Sequence, residues 1–161
     1  MSLFSPTIIL KRITEITPLI LKEQGVEYLL LDVDNTLSTH HGTILIDGLT
    51  EWIEATLNSG IKLMVVSNSK EKRIKPFAAK IGLPFVSLAL KPLPFGYNKA
   101  VKALGADKKK TAIVGDQIFT DVLGANLYGI KSFLTRPVLL ENGVSFKIRR
   151  YFEKKLLKDK F

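Results

Sequence analysis

Along most of the chain, short apolar runs alternate with segments whose apolar residues recur every three or four positions. Residues 26–31, 61–66, 85–89, 111–114 and 130–134 are short and nearly continuous in apolar side chains, which predicts strands. Between them the spacing predicts helices near 47–58, 70–80, 97–104 and 119–128. An earlier helix is signalled by Thr17-Pro18, a capping residue followed by proline at the first helical position, and it stops at Gly25. Strands that are apolar throughout, rather than alternating, imply a sheet covered on both faces. Strand–helix alternation then implies a parallel, doubly wound α/β fold. With no internal repeat and no low-complexity linker, one domain over residues 1–161 is expected. Its core would span about 26–135, with a basic amphipathic helix at about 144–159.

Composition removes several chemistries. There is no cysteine among the 161 residues, so disulfides, cysteine-ligated zinc and a thiol nucleophile are excluded. The apolar runs are interrupted too soon to span a bilayer. The opening Met1-Ser2-Leu3-Phe4-Ser5-Pro6 lacks the basic-then-apolar layout of a secretory signal, so a cytoplasmic protein is expected.

The net charge of +9 is concentrated near the end, where Lys147, Arg149, Arg150, Lys154, Lys155, Lys158 and Lys160 face only Glu153 and Asp159. Among these bases Val144, Ile148, Tyr151, Phe152, Leu156 and Leu157 recur at helical spacing. Such a segment suits peripheral contact with the anionic inner face of a membrane; the alternative is a helix docked on the domain by its apolar stripe. Leu3, Phe4, Ile8, Ile9 and Leu10 offer either a second membrane contact or cover for the core.

In a doubly wound sheet, ligands bind beyond the carboxyl ends of the strands. Polar residues end four of the predicted strands: Asp32 and Asp34, Ser67, Lys91, and Asp116. Two carboxylates two residues apart repel unless a cation lies between them or one holds a proton. Both remedies suit phosphoryl transfer. One carboxylate can attack phosphorus, a protonated neighbour can protonate the leaving alcohol, and magnesium accepts hard oxygen ligands. Taken alone, Asp-Val-Asp-Asn reads equally well as a turn after a buried strand. Ser67 and Asn68 offer a hydroxyl and backbone N–H groups to phosphate oxygens, and Lys91 offers a countercharge. Asp116 would complete a metal site, and Asp121 would support that site or orient Lys91. Each has a bland reading as a cap, a surface charge or a first-turn acid, and it is their order along the chain that argues against coincidence.

The segments Asp32-Val33-Asp34-Asn35-Thr36-Leu37, Ser67-Asn68, Lys91-Pro92 and Gly115-Asp116-Gln117-Ile118-Phe119-Thr120-Asp121 resemble the four motifs of the haloacid dehalogenase superfamily. The match to the YqeG group of its subclass IIIA extends through Val122-Leu123-Gly124-Ala125-Asn126. That group is similar to phosphatidylglycerophosphate phosphatases. The resemblance implies a Rossmann-like core, Mg2+ as cofactor and phosphate monoester hydrolysis through an aspartyl-phosphate. It implies Asp32 as nucleophile and metal ligand, and Asp34 as acid/base that gives its backbone carbonyl to the metal. Ser67, Asn68 and Lys91 would hold the phosphoryl group, Asp116 would bind the metal, and Thr36 and Asp121 would support. The intervals from Asp34 to Ser67 and from Ser67 to Lys91 leave no room for a large cap domain. An open site of this kind accepts a phosphorylated lipid headgroup, a soluble metabolite, a phosphoprotein or a polynucleotide end.

Two other classes compete. A receiver-like signalling domain would carry its phospho-accepting aspartate at the end of the third strand, where this chain has none. A nucleic-acid-binding module would explain the charge, but no zinc finger or RNP-like segment accompanies it, so no specific nucleic-acid partner is expected.

Overall fold

A computed structural model describes residues 2–39, 44–139 and 143–157, except for the side chains at 145 and 149. The expected bases Lys158 and Lys160, the acid Asp159 and the helix end at 159 lie outside the described residues, as does the Arg149 side chain. Six parallel strands form one sheet: β1 (Ile8–Leu10), β2 (Tyr28–Leu31), β3 (Lys62–Val66), β4 (Phe85–Val86), β5 (Thr111–Gly115) and β6 (Lys131–Thr135). Their spatial order is β1-β6-β5-β2-β3-β4, with β2 between β5 and β3. The helices are α1 (Pro18–Glu23), α2 (Leu49–Asn58), α3 (Glu71–Ile81), α4 (Pro94–Leu104), α5 (Leu123–Tyr128) and α6 (Val144–Leu156).

Alternation along the strands sends neighbouring side chains to opposite faces. Leu29, Leu31, Leu63, Val65, Ala112 and Val114 pack with Leu21 of α1, Trp52 and Ile53 of α2 and Ile74 and Phe77 of α3. Leu30, Met64, Val66 and Ile113 pack on the other face with Tyr97 and Ala100 of α4 and Ala125 of α5. Both faces are therefore dry, which is why the strands read as continuous apolar runs. Thr17 caps α1 as expected, its hydroxyl accepting from the Ile20 N–H at 3.2 Å.

Three differences from expectation matter for the site. First, Ile8–Leu10 is an edge strand on β6. Ile8 and Leu10 pack on the first core cluster, while Phe4 and Ile9 pack against Ile118, Val122, Leu134 and Leu157. Of the two readings of this segment, cover for the core holds for these four residues; only Leu3 is exposed among the apolar side chains named there. Second, the strand expected over 85–89 ends at Val86. The chain then folds back, with Leu88 and Leu90 at positive φ and the Ala89 N–H donating to the Ser67 carbonyl at 3.0 Å. Third, the helix expected over 119–128 is divided into a π-helical turn, Ile118–Val122, followed by α5. A π-turn inside a helix commonly marks a functional site.

The C-terminal helix docks by a stripe that shares only Leu157 with the apolar face expected from the sequence. Phe146, Glu153 and Leu157 are buried, and Arg150, between them, reaches the end of β5. Val144, Ile148, Tyr151, Phe152 and Leu156 face outward.

Candidate active site

The carboxyl ends of β2, β3 and β5 lie side by side, and the predicted residues gather there. The Asp32 N–H continues the ladder to the Val114 carbonyl at 3.0 Å, which fixes Asp32 at the strand tip. The chain then turns sharply. Asn35 adopts a left-handed conformation at φ 59°, and the N–H groups of Thr36, Leu37 and Ser38 all donate to the Val33 carbonyl. Thr36 donates its hydroxyl to Asp32 Oδ2 at 3.5 Å.

Lys91 is almost fully buried, and its Nζ donates to Asp32 Oδ1 at 2.7 Å and Asp121 Oδ1 at 2.6 Å. Its position comes from Asn68, whose side chain accepts from the Lys91 N–H at 2.7 Å and donates to the Lys91 carbonyl at 3.0 Å. The Asn68 side chain thus braces the Lys91 backbone, a role apart from the phosphate contact expected of this segment's backbone N–H groups. Ser67 is buried, and its hydroxyl accepts from the Ser69 N–H at 3.1 Å.

Asp116 is fully buried after β5, with Oδ2 accepting from Arg150 Nη2 at 2.6 Å, while Oδ1 has no hydrogen-bond partner. Asp121 is held by Lys91 and by the Gln117 N–H, 3.2 Å from its Oδ2. Gly115 makes room for it: a Cβ there would lie 2.2 Å from Asp121 Oδ2. Asp34 turns away from this cluster, and both its carboxylate oxygens accept from the guanidinium of Arg73 on α3.

Burial pushes the Asp32 carboxyl up to about 7, aided by Asp121 and Asp34 and opposed by Lys91. Burial likewise raises Asp116 well above the usual carboxylate range, with Asp32 and Asp121 adding to it and Arg150 opposing. At Lys91 burial works against the charge, but Asp121 and Asp32 outweigh it and hold the ammonium above its ordinary range. Burial thus dominates at both aspartates, whereas at Lys91 the neighbouring carboxylates override it.

Asp32, Asp116 and Asp121 each offer a carboxylate oxygen, and the three oxygens lie within 4.8 Å of one another. Hard oxygen donors in this number, one of the carboxylates carrying an orphaned buried oxygen, fit a divalent cation of the magnesium type.

Sequence reasoning missed Arg73, Arg150, Glu153 and Tyr97. The Tyr97 hydroxyl donates to the carbonyls of Thr120 and Asp121 at 2.9 and 3.3 Å, tying α4 to the π-turn. Arg73 had a usable signal, since it lies one helical turn beyond Ser69 and reaches back to that hydroxyl.

Comparison with known proteins agrees with this geometry. The family model of the haloacid dehalogenase-like hydrolases matches residues 7–129. A curated Bacillus subtilis (strain 168) protein, "Probable phosphatase YqeG", is 37% identical over 154 residues, covering 96% of this chain and 90% of its own length. A solved structure of an uncharacterized Listeria monocytogenes serotype 4b protein superposes with a TM-score of 0.62 at 22% identity, covering 74% of this chain and 84% of that one. The cobalt-bound deoxy-D-mannose-octulosonate 8-phosphate phosphatase of Haemophilus influenzae superposes with a TM-score of 0.53 at 17% identity, covering 85% and 90% of the two chains. The strand ends, their order and the long match in sequence agree: the chain belongs to the haloacid dehalogenase-like hydrolase family, among its phosphatases.

Proposed function

We propose that residues 1–161 form one Mg2+-dependent catalytic domain that hydrolyses a phosphate monoester through a phospho-Asp32 intermediate, and that the ester is phosphatidylglycerophosphate. The observation that carries the chemistry is the buried Asp32–Lys91–Asp121 chain beside Asp116. An Asp32 oxygen attacks phosphorus in line, the bond to the leaving oxygen breaks, and Asp34 delivers a proton to that oxygen. Both Asp34 oxygens accept from Arg73, so Asp34 must leave that fork and take a proton from solvent before it can deliver one to the leaving oxygen. Asp34 then takes a proton from water, which hydrolyses the acyl phosphate. Lys91 and Ser67, with the backbone N–H of Asn68, face the phosphoryl oxygens and stabilise the charge on them. The Asp32 and Asp116 carboxylates, with the Asp34 carbonyl and Asp121 in support, would hold magnesium, which when bound would supply further positive charge to the phosphoryl oxygens.

The lipid assignment rests on access and on α6. Among the described residues no large cap covers the strand ends. The outward face of α6 carries Ile148, Tyr151, Phe152 and Leu156 beside exposed Lys147, Lys154 and Lys155. That mixture of aromatic, aliphatic and basic groups suits an anionic bilayer surface. Among the described residues no helix is long and apolar enough to cross a membrane, so the contact would be peripheral.

The test is phosphate release with Mg2+ or EDTA, comparing phosphatidylglycerophosphate in anionic vesicles with sugar phosphates, nucleotides and phosphopeptides. Preference for the lipid ester is expected. Rapid hydrolysis of a soluble ester with no lipid turnover would reject the lipid and keep the chemistry, whereas full activity in EDTA would reject the metal-dependent mechanism.

A further inference from the structure

We infer that α6 belongs to the catalytic machinery through its docked face: the Arg150–Glu153 pair positions Asp116 for metal binding. The inference rests on the metal-dependent reading above and adds residues outside the four motifs.

The geometry is that of a brace. Arg150 donates from Nη2 to Asp116 Oδ2 at 2.6 Å and from Nη1 to the Asp116 carbonyl at 2.8 Å, so one guanidinium grips the side chain and the backbone of the same residue. Glu153, one turn further along α6 and buried, accepts from Arg150 Nη1 at 2.8 Å. Its other oxygen accepts from the Ile118 N–H at 3.0 Å, at the start of the π-turn that carries Asp121. The Phe146 ring lies 4.9 Å from the guanidinium carbon and holds that group in place. One helix face therefore fixes Asp116 and the backbone leading to Asp121, and Asp116 Oδ1 is left without a partner in the acidic cluster.

Exposed ion pairs contribute little, but Asp116 and Glu153 are buried, and one oxygen of each is paired with Arg150. Docking alone would not need this arrangement, since Phe146 and Leu157 already supply the apolar contact. Groups that hydrogen-bond to a ligating carboxylate set its orientation, and losing one typically weakens metal binding about 10- to 100-fold.

The full chain is titrated with Mg2+ by calorimetry, and with Mn2+ by electron paramagnetic resonance, as wild type, Arg150→Met, Arg150→Lys and Glu153→Gln. Lys102→Ala, an exposed α4 site, controls for the loss of one positive charge. Arg150→Met is expected to weaken metal binding about tenfold or more. It should move the activity-against-metal curve by the same factor and leave KM for the ester at saturating metal within about twofold. Arg150→Lys should recover part of the affinity. Unchanged or tighter binding in Arg150→Met overturns the inference, the latter by showing that the guanidinium competes with the cation. Should Arg150→Met not fold, Glu153→Gln decides: it keeps the volume, and an unchanged metal affinity overturns the brace. A wild type that binds no divalent cation would overturn the parent reading as well. A wild type that binds and turns over, with variants of unchanged affinity, overturns the brace alone.

Discussion

Replacing the nucleophile should make the metal-free protein more stable as it makes it inactive. In the folded chain the Asp32 carboxyl titrates near 7, against 3.8 for an ordinary aspartate, chiefly because burial disfavours its charge. A folded-state value above the unfolded one means that the native state holds the proton more tightly. Stability from this group is present below pH 4 and is lost as pH rises through 7. Three units at ~1.4 kcal/mol each set a ceiling of roughly 4 kcal/mol. Relaxation of Lys91 and residual solvent contact at Asp32 should bring this to about 2 kcal/mol. Asp32→Asn keeps the shape and removes the charge, leaving Lys91 paired with Asp121. Urea denaturation of both proteins in EDTA at pH 4, 6 and 8 is the assay. The variant should match the wild type at pH 4 and exceed it by about 2 kcal/mol at pH 8, while phosphate release is lost. Excess Mg2+ should narrow the gap at pH 8, because binding stabilises the form with the stronger site. A margin that stays flat with pH, or an Asn variant less stable at pH 8, would refute the reasoning and show that the Lys91–Asp32 ion pair outweighs the burial cost.

Gly115→Ala should place a methyl on Asp121, displace the carboxylate that holds Lys91 and lower kcat by about 100-fold, with the circular dichroism spectrum retained. Tyr97→Phe should cost about 1 kcal/mol in denaturant unfolding by leaving the Thr120 carbonyl without its buried donor. Tyr151→Ser with Phe152→Ser should weaken sedimentation with anionic vesicles at least several-fold and leave hydrolysis of a small soluble ester unchanged, since both side chains face away from the docked stripe. Equal vesicle binding by this double variant would remove α6 as the lipid contact.

The strand ends were readable in the sequence because a parallel sheet buried on both faces leaves few places for a polar side chain except the tips. Asp32, Ser67 and Asp116 stand out against Leu29–Leu31, Leu63–Val66 and Ala112–Val114 for that reason, while Lys91 lies beyond the fold-back that follows β4. The edge strand Ile8–Leu10 was not readable. It has three residues, no period that separates strand from loop, and its stabilisation comes from pairing with β6, more than a hundred residues away. The bracing role of the Asn68 side chain was not readable either, because its partner, the Lys91 backbone, comes within reach only when the chain folds back after β4.

The C-terminal helix shows most clearly where pattern stops and packing begins. Hydrophobic spacing selects Val144, Ile148, Tyr151, Phe152, Leu156 and Leu157 as one apolar face, for a membrane or for the domain, yet all but Leu157 are exposed and the segment docks through Phe146, Arg150, Glu153 and Leu157. A stripe with two charges in its centre is a poor candidate for burial unless the surface it meets carries the complementary groups. That surface is the end of β5, where the fully buried Asp116 accepts from Arg150 and the Ile118 N–H donates to Glu153, an acceptor and a donor at the spacing that the helix matches. When all five are ionised, Asp32, Asp34, Asp116, Asp121 and Glu153 carry two more negative charges than Lys91, Arg73 and Arg150, the cations paired with them, carry positive ones. A divalent cation would balance them. The basic C-terminal helix therefore contributes one of the cations paired with the aspartates at this sheet edge. Its removal should unbalance the site even when every motif residue is intact.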